Sequence, residues 1–527
     1  MKRLLPLMVL LMTVAEGRAQ GALSLNSYVS GLPAAGNLTG TESLYCVQGG
    51  LSVRCLTSQL ISLTCGTLPG TCTSVFGYAN PVWWGADPTG AADSLAAFNS
   101  AKAASNAVLV PPGKFKLSAA LSYSIPSGIN SVTLNGSGKD VTILTFPNSA
   151  GGVVFTYGDV VNNSVHMANM SLTTGQAGTA NCVWLSTAST TANPANTAFN
   201  DVQNVGCYGA DGYGGPADYW SVGFEGNGVS NIYLHNVTYT GKGGASFGTV
   251  GQCFSFAGLP ASTSYAVVVN IQASTCNQAS AGFVYGSYLQ GVVINQSNFT
   301  GLQNCWDVPA SGTGALSQFT ISNSQCATSS AGLLQQTYVN PVTVIGNVIE
   351  VGGNGGTGIF LGEYYDFEIV GNNISNFNAS TGTVGISVQH ANFSSGGTII
   401  GNGLDGLATG IQLAAAAQKV SVIGNMIDGT VTTPIQNLGS TNQVLNNPGW
   451  NPVGPLGITV GASPYTYTAT GSPETIYIFG GTVSSVQFGA GLTTVACNAT
   501  PCTVDLGPNE QVKVTYSSVP TMNKMVH

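Results

Sequence analysis

Six-residue segments recur through the middle of this chain, each an aliphatic residue followed five positions later by a second apolar one, often with Gly-Asn between. "LHNVTY" (Leu234–Tyr239), "ISNSQC" (Ile321–Cys326), "VIGNVI" (Val344–Ile349), "IVGNNI" (Ile369–Ile374) and "VIGNMI" (Val422–Ile427) are examples. A second pattern, Gly or Asn followed by mostly apolar residues, interleaves with it at Gly152, Asn181, Gly223, Gly282, Asn304, Gly332, Gly358, Gly385 and Gly410. Two strand patterns per roughly 25 residues, repeated along the chain, mark a solenoid. A short strand with one apolar face cannot bury it alone. Stacking successive coils about 4.8 Å apart pairs each strand with its copies above and below. Gly and Asn tolerate the left-handed backbone of tight corners, and equivalent Asn side chains can form a ladder. The pattern therefore predicts an all-β parallel β-helix.

Twelve cysteines fall into six neighbouring couples: Cys46 with Cys55, Cys65 with Cys72, Cys182 with Cys207, Cys253 with Cys276, Cys305 with Cys326 and Cys497 with Cys502. The third to fifth are separated by almost one circuit, which brings both members close enough for a disulfide. An even count suits an exported chain. Residues 1–19 read as a secretory signal, with Lys2 and Arg3 before the apolar run Leu4–Val14. Removing them would take the net charge from −8 to −10. So acidic a chain is a poor partner for nucleic acid, and no later apolar run is long enough to span a membrane. No residue set calls for a metal or another cofactor.

A β-helix needs its open first coil covered. In "DSLAAFNSAKAA" (Asp93–Ala104), Leu95, Phe98 and Ala101 share one side of a helix that can cover it. The stretch "GADPTGAADSLAAFNSAKAA…VLVPPGKFKL" (Gly85–Leu117) resembles the entry motif of the pectate-lyase-like single-stranded right-handed β-helix superfamily. Ala92 stands where that family has its first Asp, Asp93-Ser94 at its Asp-Thr step, and Phe115 at its Tyr. The resemblance implies a right-handed winding over residues 81–450. It says little about activity, because the superfamily includes lyases, hydrolases, epimerases and phage tailspikes.

Residues 20–80 read as an adaptor-like segment with a hairpin turning at Gly49-Gly50 and stapled by Cys46 and Cys55. Residues 30–63 resemble N-terminal segments of phage and prophage tail proteins. Export and phage origin conflict, and the export signal decides the expected compartment: secreted or periplasmic, with a virion as the alternative. Residues 451–527 alternate as a small β-sandwich. They resemble C-terminal modules of tailspike-like and secreted β-helix proteins, which cap the last coil or hold a homotrimer.

Only Lys139, Lys242 and Lys419 are basic between residues 118 and 450, with no Arg. The family's lyases need calcium-binding carboxylates plus a basic residue that abstracts a ring proton; with no Arg and the Lys residues far apart, lyase residues are not carried over. Hydrolysis needs two carboxyl groups about 5–5.5 or 6.5–9.5 Å apart. Alignment on Gly358, Gly385 and Gly410 sets Glu363 beside His390, with Ala415 next, while Asp366 and Glu368 follow with Tyr364 and Tyr365. Glu363, Asp366, Glu368 and His390 are the candidate catalytic residues. The insertion Cys207–Gly226 supplies candidate sugar-binding residues Asp211, Tyr213, Asp218, Tyr219, Trp220 and Glu225, and Trp306 and Asp307 extend the set. His166 and His235 read as structural. The expectation is an exported polysaccharide-binding protein, a glycoside hydrolase or depolymerase if catalytic. The alternatives are a non-catalytic tailspike-like attachment protein and, more weakly, a coat protein without a glycan ligand.

Overall fold

The computed structural model describes residues 43–48, 51–56 and 69–527, apart from residues 129, 149–150, 159–161, 188–197, 260–265, 311–316, 392–395 and 451–454. The expected signal segment lies outside them, as do the hairpin side chains and Cys65. Residues 1–68 and 69–527 form two separate units. In the first, Ser43–Gln48 and Leu51–Leu56 pair antiparallel with Gln48 opposite Leu51; the expected turn at Gly49-Gly50 lies outside the described residues.

Two of the expected cysteine couples reach beyond what is described. In the hairpin, Val53 stands opposite Cys46 and Leu44 opposite Cys55, and the side chains of Cys46 and Cys55 lie outside the described ones. The second couple is half described. Cys72 is buried in the helix Pro69–Phe76 and is disulfide-bonded. Its expected partner, Cys65, lies outside the described residues.

The second unit winds into a right-handed parallel β-helix of about 11 turns. Each turn carries three strands rather than the two the sequence pattern indicated. Here the strands are grouped, in chain order within a coil, as sheets A, B and C. The six-residue motif spans the A–B corner, so its two apolar residues belong to different sheets. Leu234 pairs with Ile271 in sheet A, whereas Tyr239 pairs with Cys276 in sheet B. The Gly-led pattern opens sheet C, where Ile359, Ile386 and Ile411 stack.

The A–B corner explains the Gly-Asn element. Its first residue takes a left-handed conformation, as Asn204, Asn236, Gly346 and Gly371 do. Its second residue points inward. Those residues are apolar in early coils (Val205, Val237), then Ser274, Ser297 and Ser324, then Asn347, Asn372, Asn402, Asn425 and Asn447. Each asparagine from Asn372 to Asn447 accepts from both the backbone N–H and the side-chain Nδ2 of the asparagine one coil earlier, at 2.9–3.0 Å. A buried amide is costly unless paired, and repetition supplies the partner.

A second internal column joins sheets B and C. Disulfides link Cys182–Cys207, Cys253–Cys276 and Cys305–Cys326, with Cα separations of 6.0, 5.8 and 6.0 Å. The bonded residues are not stacked equivalents. Each bridge runs from sheet C of one coil to sheet B of the next. At the levels between them sheet C has Gly223 and Gly282, facing Tyr239 and Phe299. A Cβ at Gly223 would lie 2.5 Å from Tyr239 Cδ2, and one at Gly358 equally close to Ile374 Cγ2. Each level thus holds either a disulfide or a glycine with a large side chain, two ways of filling one gap at interior density.

The helix Leu95–Ala104 covers the first coil, burying Ala97, Phe98 and Ala101. Phe98 meets Phe115 edge to face at 5.5 Å. Sequence reading missed the second short helix, Pro69–Phe76. The entry motif is a hydrogen-bonded clamp: the Asp87 carboxylate accepts from Thr89 and Ala92, and Asp93 from Leu95 and Ser118. After the last coil, two four-stranded antiparallel sheets enclose a core that includes Ile476, Val486, Val512 and Val514. Cys497–Cys502 ties one sheet to the other.

Candidate functional site

Strand register sets Glu363 of Thr357–Tyr364 directly beside His390 of Val384–Ala391, on sheet C. Glu363 is half-buried and His390 exposed. A register shift after Val388 places Ala416, not Ala415, beside His390 in the next coil. The chain then turns. Tyr364 is 1% exposed and exchanges hydrogen bonds with the Gln418 backbone, so it is a core residue and not a ligand contact. Tyr365 remains on the outside, edge to face with Tyr338.

Asp366 and Glu368 lie beyond that corner on sheet A. Both are exposed, and both line a cleft of about 490 Å³ with Thr343, Thr398, Lys419 and Ser421. Thr343, Glu368, Thr398 and Ser421 occupy one outward column at successive levels. Neither Glu363 nor His390 belongs to the cleft lining. The proposed quartet therefore divides into two pairs on two faces, because the C–A corner falls at residues 365–366. In the cleft, two carboxyl groups, an ammonium and three hydroxyls face a space large enough for sugar residues.

The insertion after Cys207 divides likewise. Trp220 is 1% exposed, donates to Leu172 O at 3.3 Å and packs on Phe146, so it is core. Trp306 is fully buried against Phe299. Both were expected in a sugar groove; Trp306 points inward by strand alternation, and Trp220, just before the strand Val222–Asn227, is packed into the core. Asp211 folds its own loop, accepting from the N–H groups of Ala217 and Asp218. Burial, then the neighbouring Asp211 charge, raises the Asp218 carboxyl. Tyr219 is tied down through its backbone by Gln176 and Gly178.

Tyr213 remains half-exposed, stacked on Tyr208 with ring centroids 4.0 Å apart. Both hydroxyls donate to Asp140, which also accepts from Ser171 at 2.7 Å. Burial opposes ionisation of Asp140, but these hydrogen bonds and Lys139 outweigh it and hold its carboxyl low. Burial and the Asp140 contact push Tyr208 up to about 12. Asp140 was not anticipated from sequence. Its backbone is left-handed, with a φ of 65°.

Glu225 faces outward from sheet C between Asn181 and Asn227, both donating to it, and burial raises its carboxyl. Asp307 lies on the same outward column, three levels further on. Burial raises it as well, and its Oδ1 has no hydrogen-bond partner. Three levels of about 4.8 Å separate the two by about 14 Å, too far for one glycosidic bond.

Among the described residues no group of three or more His, Cys, Asp or Glu side chains could hold a metal ion. Among them, too, no helix is long and apolar enough to cross a membrane.

No family model matches the chain, and no curated protein does. Solved structures similar to it include the catalytic unit of an α-1,3-glucanase from Streptomyces thermodiastaticus, at 14% identity and a TM-score of 0.42 over 70% of this chain. The chain spans 65% of that glucanase structure. Tailspike protein 3 of bacteriophage CBA120 is similar at 12% identity and 0.44, over 81% of this chain and 70% of that one. The A-module of a mannuronan C-5 epimerase from Azotobacter vinelandii is similar at 15% and 0.41, over 71% and 100%.

Proposed function

We propose that this protein binds a neutral polysaccharide along sheet A and hydrolyses it at Asp366 and Glu368. The observation that carries the reading is the lateral cleft in which both carboxyl groups stand among outward hydroxyls. Hydrolysis asks one carboxyl to protonate the departing glycosidic oxygen and the other to activate water or attack the anomeric carbon. Neutrality of the substrate follows from charge: with Lys139, Lys242 and Lys419 the only cations over residues 118–450, an anionic polymer meets net repulsion. The disulfides among the described residues support an oxidising, extracellular setting. Export through residues 1–19 and trimer formation through the C-terminal sandwich belong to the same proposal. Detection of the mature N-terminus and light scattering test them.

Glycan attachment without cleavage is the second reading. It is favoured by the open exposure of both cleft carboxyls and by the placement of His390 on another face. Incubation with dextran, α-1,3-glucan, galactomannan, mannuronan and pectate separates the two. New reducing ends, lost in Asp366→Asn and Glu368→Gln, support hydrolysis. Binding without new ends supports attachment. Unsaturated products absorbing in the ultraviolet would contradict both.

A further inference from the structure

The outward column of sheet A that contains Glu368 continues toward the N-terminal coils. It passes Thr343, Thr320, Val293 and Asn270 to reach Tyr233, and then Asp201 and His166. At its upper end lies a cluster of rings. Phe199, just before the strand Asn200–Gly209, is 49% exposed on the flank of the helix. Its ring stacks on Tyr233 at 4.6 Å and 26°, and lies 6.4 Å from the His166 ring at 25°. Asp201, 8% exposed, fixes the arrangement: it meets His166 Nδ1 through Oδ1 and accepts from Gln203 Nε2 through Oδ2 at 3.1 Å.

A single exposed phenylalanine needs no explanation. Rings stacked in series, held by a buried carboxylate and bordered by polar side chains, are preorganised, and preorganisation lowers the cost of binding. The complement of such a surface has an apolar face and a polar rim. A pyranose ring has both: axial C–H groups for the ring face, and equatorial hydroxyls for Gln203 and Asn270. Between this cluster and the cleft the column carries only Asn270, Val293, Thr320 and Thr343, short side chains that leave the track level. Five register steps separate Tyr233 from Glu368, about 24 Å at the strand spacing.

We propose that Phe199, Tyr233 and His166 form a distal subsite that stacks on a sugar ring of the same polysaccharide chain that fills the cleft at Asp366 and Glu368. The proposal rests on the cleft reading above and extends it: the protein selects for chain length, because only a long chain reaches both places.

The test uses dextran, α-1,3-glucan and galactomannan, each partly hydrolysed and sized into fragments from disaccharides to chains longer than the five-step span. Binding to the full-length protein is measured by calorimetry for the wild type, Phe199→Ala, Phe199→Tyr and the double variant Asp366→Asn with Glu368→Gln. The expected result is an affinity about five- to tenfold lower for long chains in Phe199→Ala. Short fragments bind it as they bind the wild type, Phe199→Tyr retains long-chain affinity, and the melting temperature does not change. If Phe199→Ala binds every length normally while the carboxyl double variant loses binding, the distal subsite is wrong and the cleft reading stands. An equal loss for short and long fragments also overturns it. If the wild type binds none of the three polymers, the cleft reading fails and the subsite with it.

Discussion

The early and late coils of the β-helix solve the same packing problem with different chemistry. Between Cys182 and Cys326 the gap between sheets B and C is closed at every second level by a disulfide, and between those levels by Gly223–Tyr239 and Gly282–Phe299. From Gly332 onward the cysteines stop, and glycines meet aliphatic side chains such as Ile349 and Ile374. The other internal corner changes in the opposite sense. It is apolar at Val205 and Val237, and becomes the asparagine ladder after Ser324. Covalent bridges thus lie in the middle coils, which lack the internal ladder, and that ladder runs through the late coils, which lack bridges. Coils in a solenoid contact only their neighbours, so stability is local and each region needs its own device.

Reduction gives the largest expected contrast. Losing a native disulfide costs about 2–5 kcal/mol. Hydrogen exchange after reduction of the folded protein should accelerate across residues 181–326 and leave residues 340–437 nearly unchanged. Uniform acceleration would break the comparison. Asn372→Ala should reverse the pattern. It removes the acceptor of Asn347 N–H and Nδ2 and the donor to Val344 O and Asn402. At about 1–3 kcal/mol per stranded buried group, destabilisation of about 3 kcal/mol or more should be confined to late coils.

Gly358→Ala sharpens the size-matching argument. The new methyl meets Ile374 Cγ2 at 2.5 Å, and overpacking of this kind costs about 1–3 kcal/mol. Ile374→Ala removes that Cγ2, so the double variant should lose less than the sum of the two single losses, whereas additive losses would refute the match. The smallest effect concerns the entry clamp. Hydrogen bonds from Ala92 and Thr89 lower the exposed Asp87 carboxyl from 3.8 to about 2. Its folded-state pKa is depressed, so its contribution is complete above 3.8 and fades as pH falls through 2. Asp87→Asn should therefore narrow its stability gap to wild type on acidification over that range, as acid melts would record.

The winding, its repeat, the four disulfides among described residues and the capping helix were legible because each leaves a periodic or local mark. The faces of single residues were not. Trp220 and Trp306 read as sugar-stacking residues, yet both side chains are buried in the core. "LGEYYDFEI" read as one acidic cluster, but the corner at Tyr365-Asp366 sends Glu363 and Glu368 to different sheets. Asp140 and the Phe199 cluster escaped notice because their partners lie one or more coils away in the chain.

The proposal that sheet A is a glycan track is tested most directly by polysaccharide binding to the wild type and to the double variant Asp366→Asn with Glu368→Gln, measured side by side on the neutral polymers. The account predicts that the wild type retains one of them and that the double variant, folded and with an unchanged melting temperature, loses it. Equal retention by both proteins would contradict it.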